Sequence, residues 1–224
     1  MAETNSSSYG PFEPKLMDKA EELAFELHAQ EGAIWTGGWM LIGIVTFAFT
    51  SLAFAYFYLR SANNEHLWRP GAITAPTALG AAIFTIVVAS ALLNLYGTSR
   101  LRKGLVLDWE VSGGIVLFGL LVAAALQILE LTKLPFFPGS SGYASCFVGW
   151  AVMNTGLLLA CAYWMETVLA RSVRLRRAVA EDGGPARSIL PPARLFRMNV
   201  VSFMSFLLFA ALIELFFWVM FYVA

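Results

Sequence analysis

Five apolar runs, at about residues 34–58, 74–97, 111–132, 143–170 and 199–223, take up most of the chain, and none contains a histidine. Crossing a bilayer core takes roughly 20 apolar helical residues, so each run is long enough. In hydrocarbon every backbone N–H and C=O needs an internal partner, which makes continuous runs of this length helices. A transmembrane barrel would need short alternating strands, a pattern absent from this sequence. The expectation is therefore an all-α polytopic membrane protein, a five-helix transmembrane bundle. Residues 1–33 read as a cytoplasmic N-terminal segment and residues 34–224 as the five-span membrane domain. The first run follows a polar, acidic stretch and lacks the basic start and small-residue cleavage site of a signal peptide, so it reads as a retained span.

Charge orients the runs. The chain carries 15 Lys/Arg and 15 Asp/Glu, and charged residues make up only 13% of it. With five spans, the N-terminus, second loop and fourth loop share one side. That side holds twelve of the Lys/Arg, including Arg100, Arg102, Lys103 and the Arg171–Arg177 stretch; the other holds Arg60, Arg69 and Lys133. Positive charge marks the cytoplasmic face, which predicts the N-terminus inside and the C-terminus outside. Before the first span, Leu16, Ala20, Leu23, Ala24 and Leu27 recur at helical spacing over residues 13–30, with Asp18, Glu21, Glu22 and Glu26 mostly on other faces. This predicts an acidic amphipathic helix, suited to docking on a partner's cytoplasmic surface or to solvent rather than to anionic headgroups.

The missing histidines exclude several chemistries. Buried haem takes axial His, Met, Cys or Tyr, and buried copper takes His or thiolate clusters. His28 and His66 lie outside the runs, and Met153, Met165, Met204 and Met220 are isolated within them. Isolated methionines are ordinary core fillers. Cys146 and Cys161 are fifteen apart and form no CxxC motif. The residues therefore offer no catalytic group, no cofactor ligand and no metal site. No phosphate loop or nucleophile elbow is present. The basic fourth loop is explained by topology, so no nucleic acid is expected as a partner.

Polar residues inside spans remain, and they are costly there. Gln127 and Glu130 are three apart and share one helix face. Glu130 reads either as a partner of Lys133 at the interface or as an inward-facing group. Asn154 and Glu214 fall at similar depth. Glu214 reads either as a neutral acid hydrogen-bonded to a neighbouring helix, or as a proton-handling or subunit-contact group. Glu166, near Arg171 and Arg174, reads as an interfacial ion pair or a snorkelling side chain, a candidate lipid or interface contact. These acids are scattered, and the first two spans carry no charge inside, so no complete proton path is expected in this chain alone.

Local patterns add a resemblance. They are Trp39-Met40-Leu41 through Tyr56-Phe57-Tyr58-Leu59-Arg60, then Gly97-Thr98-Ser99-Arg100, then Gln127 and Glu130 as Gln-x-x-Glu. Ser141-Gly142-Tyr143-Ala144-Ser145-Cys146-Phe147 and a Phe/Trp-rich last helix ending in Tyr222 complete the series. In order and spacing, over about residues 35–224, the chain resembles the five-helix form of subunit III of the haem–copper terminal oxidases, the cytochrome c oxidase type. The resemblance implies a non-redox accessory subunit of an aerobic respiratory oxidase in the cell inner membrane. Such a subunit packs on oxidase subunit I, in a hetero-oligomer with subunit II, contacts membrane lipids and supports stability and proton uptake. Haem and copper then belong to the partner subunit. Gln127 and Glu130 would be family positions, and Arg60 an interfacial or lipid-headgroup contact. The chain departs from the family at Val45, where a glutamate is usual, and at Asn154 and Leu157, near the family's paired histidines. Leu207 to Ala211 retain none of its Trp-His-Phe-x-Asp pattern. Glu214 is specific to this chain and reads as replacing the lost polar anchoring of the last helix, together with Asn154. The alternatives are a subunit III-like partner of nitric oxide reductase, and an independent small transporter or assembly scaffold.

Overall fold

A computed structural model describes residues 19–63, 68–70, 73–181 and 191–223. His66, the first turns of the expected amphipathic helix, and Gly183-Gly184-Pro185 lie outside the described residues. The described part is all helical. Helix α1 spans Lys19–Ser61, α2 Thr77–Arg102, α3 Val106–Thr132, α4 Gly142–Glu181 and α5 Pro191–Trp218, and a π-helical turn, Val219–Val223, closes the chain. All five helices are long and apolar enough to cross a membrane, which makes this a multi-pass membrane protein.

The sequence reading separated an N-terminal amphipathic helix from the first span. Instead, α1 runs unbroken for 43 residues. No proline interrupts it, and each of Gly32, Gly37 and Gly38 costs a helix only about 1 kcal/mol. At 1.5 Å per residue α1 is about 65 Å long, roughly twice the hydrocarbon thickness. Its first turns, including Leu23 and Phe25, are exposed.

Helix α5 opens on Pro191-Pro192. The first turn tolerates proline because its N–H groups have no intrahelical acceptor anyway. Between α2 and α3 the chain reverses in three residues, Lys103 to Leu105, with Gly104 at φ +83°. That left-handed conformation favours glycine and allows a tight antiparallel hairpin.

Packing follows from this hairpin. Helix α2 lies against α3 and α5, α3 against α4, and α4 against α5, so these four helices close a ring. Helix α1 sits outside the ring, against α4 and α5. The α2–α3 seam is close: a Cβ on Gly97 would overlap the Ser112 hydroxyl. Small residues let helix backbones approach in lipid, where dispersion contacts replace the hydrophobic drive. One face of α3 points into the ring, with Trp109, Ser112, Gly113, Val116, Leu120, Ala123, Ala124, Gln127 and Glu130 all buried. Their three- and four-residue spacing is that of a helical stripe.

The bundle has two unlike ends. At the C-terminal face α1, α3 and α5 finish, and α2 and α4 begin. The opposite face carries the α2–α3 hairpin turn and the start of α5.

Candidate functional site

The C-terminal end of a helix leaves its last carbonyls without intrahelical partners. Two tyrosines supply donors to the end of the chain. The Tyr56 hydroxyl on α1 donates to the Met220 carbonyl at 2.8 Å, and the Tyr143 hydroxyl on α4 donates to the Phe221 carbonyl at 3.0 Å. The Ala75 N–H in turn donates to the Tyr143 oxygen at 3.3 Å. The end of α5 is thereby tied to α1, α4 and the segment leading into α2. Aromatic rings fill the space between: Phe147, Trp150, Phe217 and Phe221 meet at centroid distances of 5.4–6.2 Å.

Inside this clamp lies a polar chain. Asn154 Nδ2 on α4 donates to Gln127 Oε1 on α3 at 2.9 Å. Gln127 Nε2 donates to Glu130 Oε2 at 2.7 Å. The Tyr222 hydroxyl, in the final π-helical turn, donates to Glu130 Oε1 at 2.6 Å. Glu214 on α5 adjoins the chain beside Asn154. Gln127, Glu130, Asn154 and Glu214 are each 0–1% exposed. Neither Glu214 oxygen makes a hydrogen bond among the described residues. A buried polar group without a partner costs about 1–3 kcal/mol, so the site is incomplete at this carboxyl.

Tyr222 closes the chain at the C-terminal face. Its ring lies directly on Gly80 of α2, where any Cβ would collide with it. A π-helical turn is a rare departure from α geometry and is frequent at functional sites. Here it carries the tyrosine that reaches from α5 to α3.

The residues singled out from sequence fare differently. Gln127, Glu130, Asn154 and Glu214 converge on one site. The alternative of a Glu130–Lys133 pair is not realised, because Tyr222 and Gln127 occupy the carboxylate. For Glu166, expected either to pair or to snorkel, the pairing is not seen. Glu166 is exposed, and no ion pair joins it to Arg171 or Arg174 among the described residues. Arg60 donates to the Tyr56 hydroxyl at 3.3 Å and lies 5.9 Å from that ring's centroid. Val45 packs against the core. The sequence reading did not link Tyr222 to Glu130, or Tyr56 and Tyr143 to the end of α5. Interfacial tyrosines are expected from composition, but their partners are 92, 164 and 78 residues distant along the chain.

The opposite face is held by charge. Arg100 meets Asp108 at 2.7 Å, Arg176 meets Glu110 at 3.1 Å, and Arg194 pairs with Glu31. Ser172 also donates to Glu110 at 2.8 Å.

Among the described residues, no group of three or more His, Cys, Asp or Glu side chains is arranged to hold a metal ion. The polar chain can order hydrogen bonds and hold protons, and it fixes α3, α4 and α5 against one another. Compared with known proteins, the chain matches no family model and no curated protein.

Proposed function

We propose that this protein is a non-redox accessory subunit of an aerobic respiratory terminal oxidase of the haem–copper type. It packs on the catalytic subunit and supports its stability and proton uptake. The observation that carries this reading is the placement of Gln127 and Glu130. These two residues belong to the resemblance, and they form the junction where α3, α4 and the end of α5 are bonded together. The resemblance also rests on Tyr56 and Tyr143, and both lock the final turn. The excess of Lys/Arg on the side of the α2–α3 turn and the start of α5 supports an N-terminus inside and a C-terminus outside. In this reading the membrane is the cell inner membrane, haem and copper reside in the catalytic partner, subunit I, and the apolar outer surface of α1 meets lipid or the partner subunits.

Purification from native membranes in mild detergent, followed by optical spectroscopy, tests the proposal. Haem-bearing oxidase subunits are expected to copurify. Isolation of the chain alone and colourless would overturn it. Copurification with nitric oxide reductase would move the chain to that enzyme instead.

A further inference from the structure

The hydrogen bonds of the buried chain share one direction. Asn154 donates to Gln127, Gln127 donates to Glu130, and Tyr222 donates to Glu130. Glu130 therefore accepts through both oxygens, as a carboxylate does. Glu214, 1% exposed, has no hydrogen-bond donor on either oxygen among the described residues. A carboxyl group held away from water with no donor is far cheaper to bury neutral than ionised. A second ionised carboxylate beside Glu130, in hydrocarbon and without a donor, would add repulsion to the cost of desolvation. The geometry therefore distinguishes the two acids: Glu130 accepts two hydrogen bonds, and Glu214 accepts none.

We propose that Glu214 and Glu130 form a two-carboxyl proton-binding site, closed at the C-terminal face by Tyr222. One proton resides on Glu214, and a second enters at Glu130 from the aqueous phase at that face.

The entry point follows from position. Glu130 lies two residues from the end of α3, and Tyr222 one residue from the end of the described chain. Glu214 lies deeper, behind Asn154. On the side away from that face the ring is filled by Leu158, Phe203, Phe206 and Leu207, all buried. The C-terminal face is therefore the nearer aqueous phase to the site, and the packed side chains separate it from the other.

The surroundings of the pair are few. From α4 and the end of α5, Tyr143 and Tyr222 act on the acids; from α1 and the α1–α2 connection, Tyr56 and Arg69 act on Tyr143. The buried face of α2 presents no titratable side chain.

Binding the second proton has a structural consequence. A protonated Glu130 must donate from one oxygen. The Gln127 amide hydrogen cannot turn aside, because its other end is held by Asn154. The Tyr222 hydroxyl can rotate, so it yields its place as donor, and the bond holding the final turn to α3 reverses.

Infrared difference spectroscopy of the purified protein, with whatever partners accompany it, tests this. At neutral pH a protonated-carboxyl band that exchanges slowly with deuterium is expected. It disappears in Glu214→Gln and persists in Glu130→Gln. Acidification brings a second band, absent in Glu130→Gln. In Tyr222→Phe, which removes a donor from the carboxylate, that band appears at a pH higher by about one unit.

Glu214→Gln has nearly the shape of the neutral acid and no charge, so it is expected to accumulate normally; failure to accumulate counts against the site. A neutral-pH band unchanged in Glu214→Gln overturns the proposal. So does the absence of any second band on acidification, or loss of the neutral-pH band on adding sodium chloride, which would mark a metal-cation site. The haem content of the preparation does not enter these readings, so they stand apart from the copurification result.

Discussion

At the opposite face, Arg100, Arg176 and Arg194 reach acids on neighbouring elements; at the C-terminal face, tyrosine hydroxyls reach backbone carbonyls and one buried carboxylate. The tyrosine bonds join residues that are far apart in sequence, as do Arg176–Glu110 and Arg194–Glu31, while Arg100–Asp108 bridges the tight α2–α3 hairpin. The difference lies in the medium. The ion pairs are partly exposed, with the Arg194 side chain 69% accessible and Arg176 46%. Water and salt screen them, and exposed pairs of this kind contribute about 0–1 kcal/mol. The tyrosine bonds are buried, where a lost partner is not replaced by water.

Glu130→Leu should sharpen this contrast most. It leaves the Gln127 amide and the Tyr222 hydroxyl without an acceptor, and we expect a loss of about 2–4 kcal/mol. Thermal denaturation in mild detergent measures it. A loss under about 1 kcal/mol would mean that the two ends are held equally weakly. Tyr143→Phe comes next, at about 1–2 kcal/mol, because the Phe221 carbonyl loses its donor while the ring packing stays.

Arg176→Gln should cost no more than about 1 kcal/mol after allowance for screening. A larger loss would make the charged end the stronger one. The smallest effect separates the mechanisms. Raising salt towards 1 M should erase most of the Arg176→Gln difference, since the Debye length falls to about 3 Å. The same salt should leave the Tyr143→Phe difference unchanged, and a shared salt response would end the distinction.

Much of this arrangement was legible in the sequence. Hydrophobic run length gave five helices because hydrocarbon permits little else. The three-residue spacing of Gln127 and Glu130 put them on one face, and equal depth suggested that Asn154 and Glu214 could meet. What spacing cannot supply is the rotation of each helix about its axis relative to its neighbours. That rotation decided that Glu130 turns inward to Tyr222 rather than outward to Lys133. It also left Glu166 on an exposed face. The length of α1 was hidden for another reason. Glycines at 32, 37 and 38 and a change from acidic to apolar composition suggest a boundary, yet neither interrupts a helix without a proline.

A helix about 65 Å long is also a lever. Its C-terminal part is seated against α4 and α5, and within its first third Glu31 is paired with Arg194 near the start of α5. Beyond that pair the first turns stand clear of the bundle. The arm beyond the pair is about 18 Å long, so a tilt of about 10° there would carry the tip through roughly 3 Å. The Glu31–Arg194 pair is thus a stop on a swinging arm, and its strength sets how far the exposed tip can sweep.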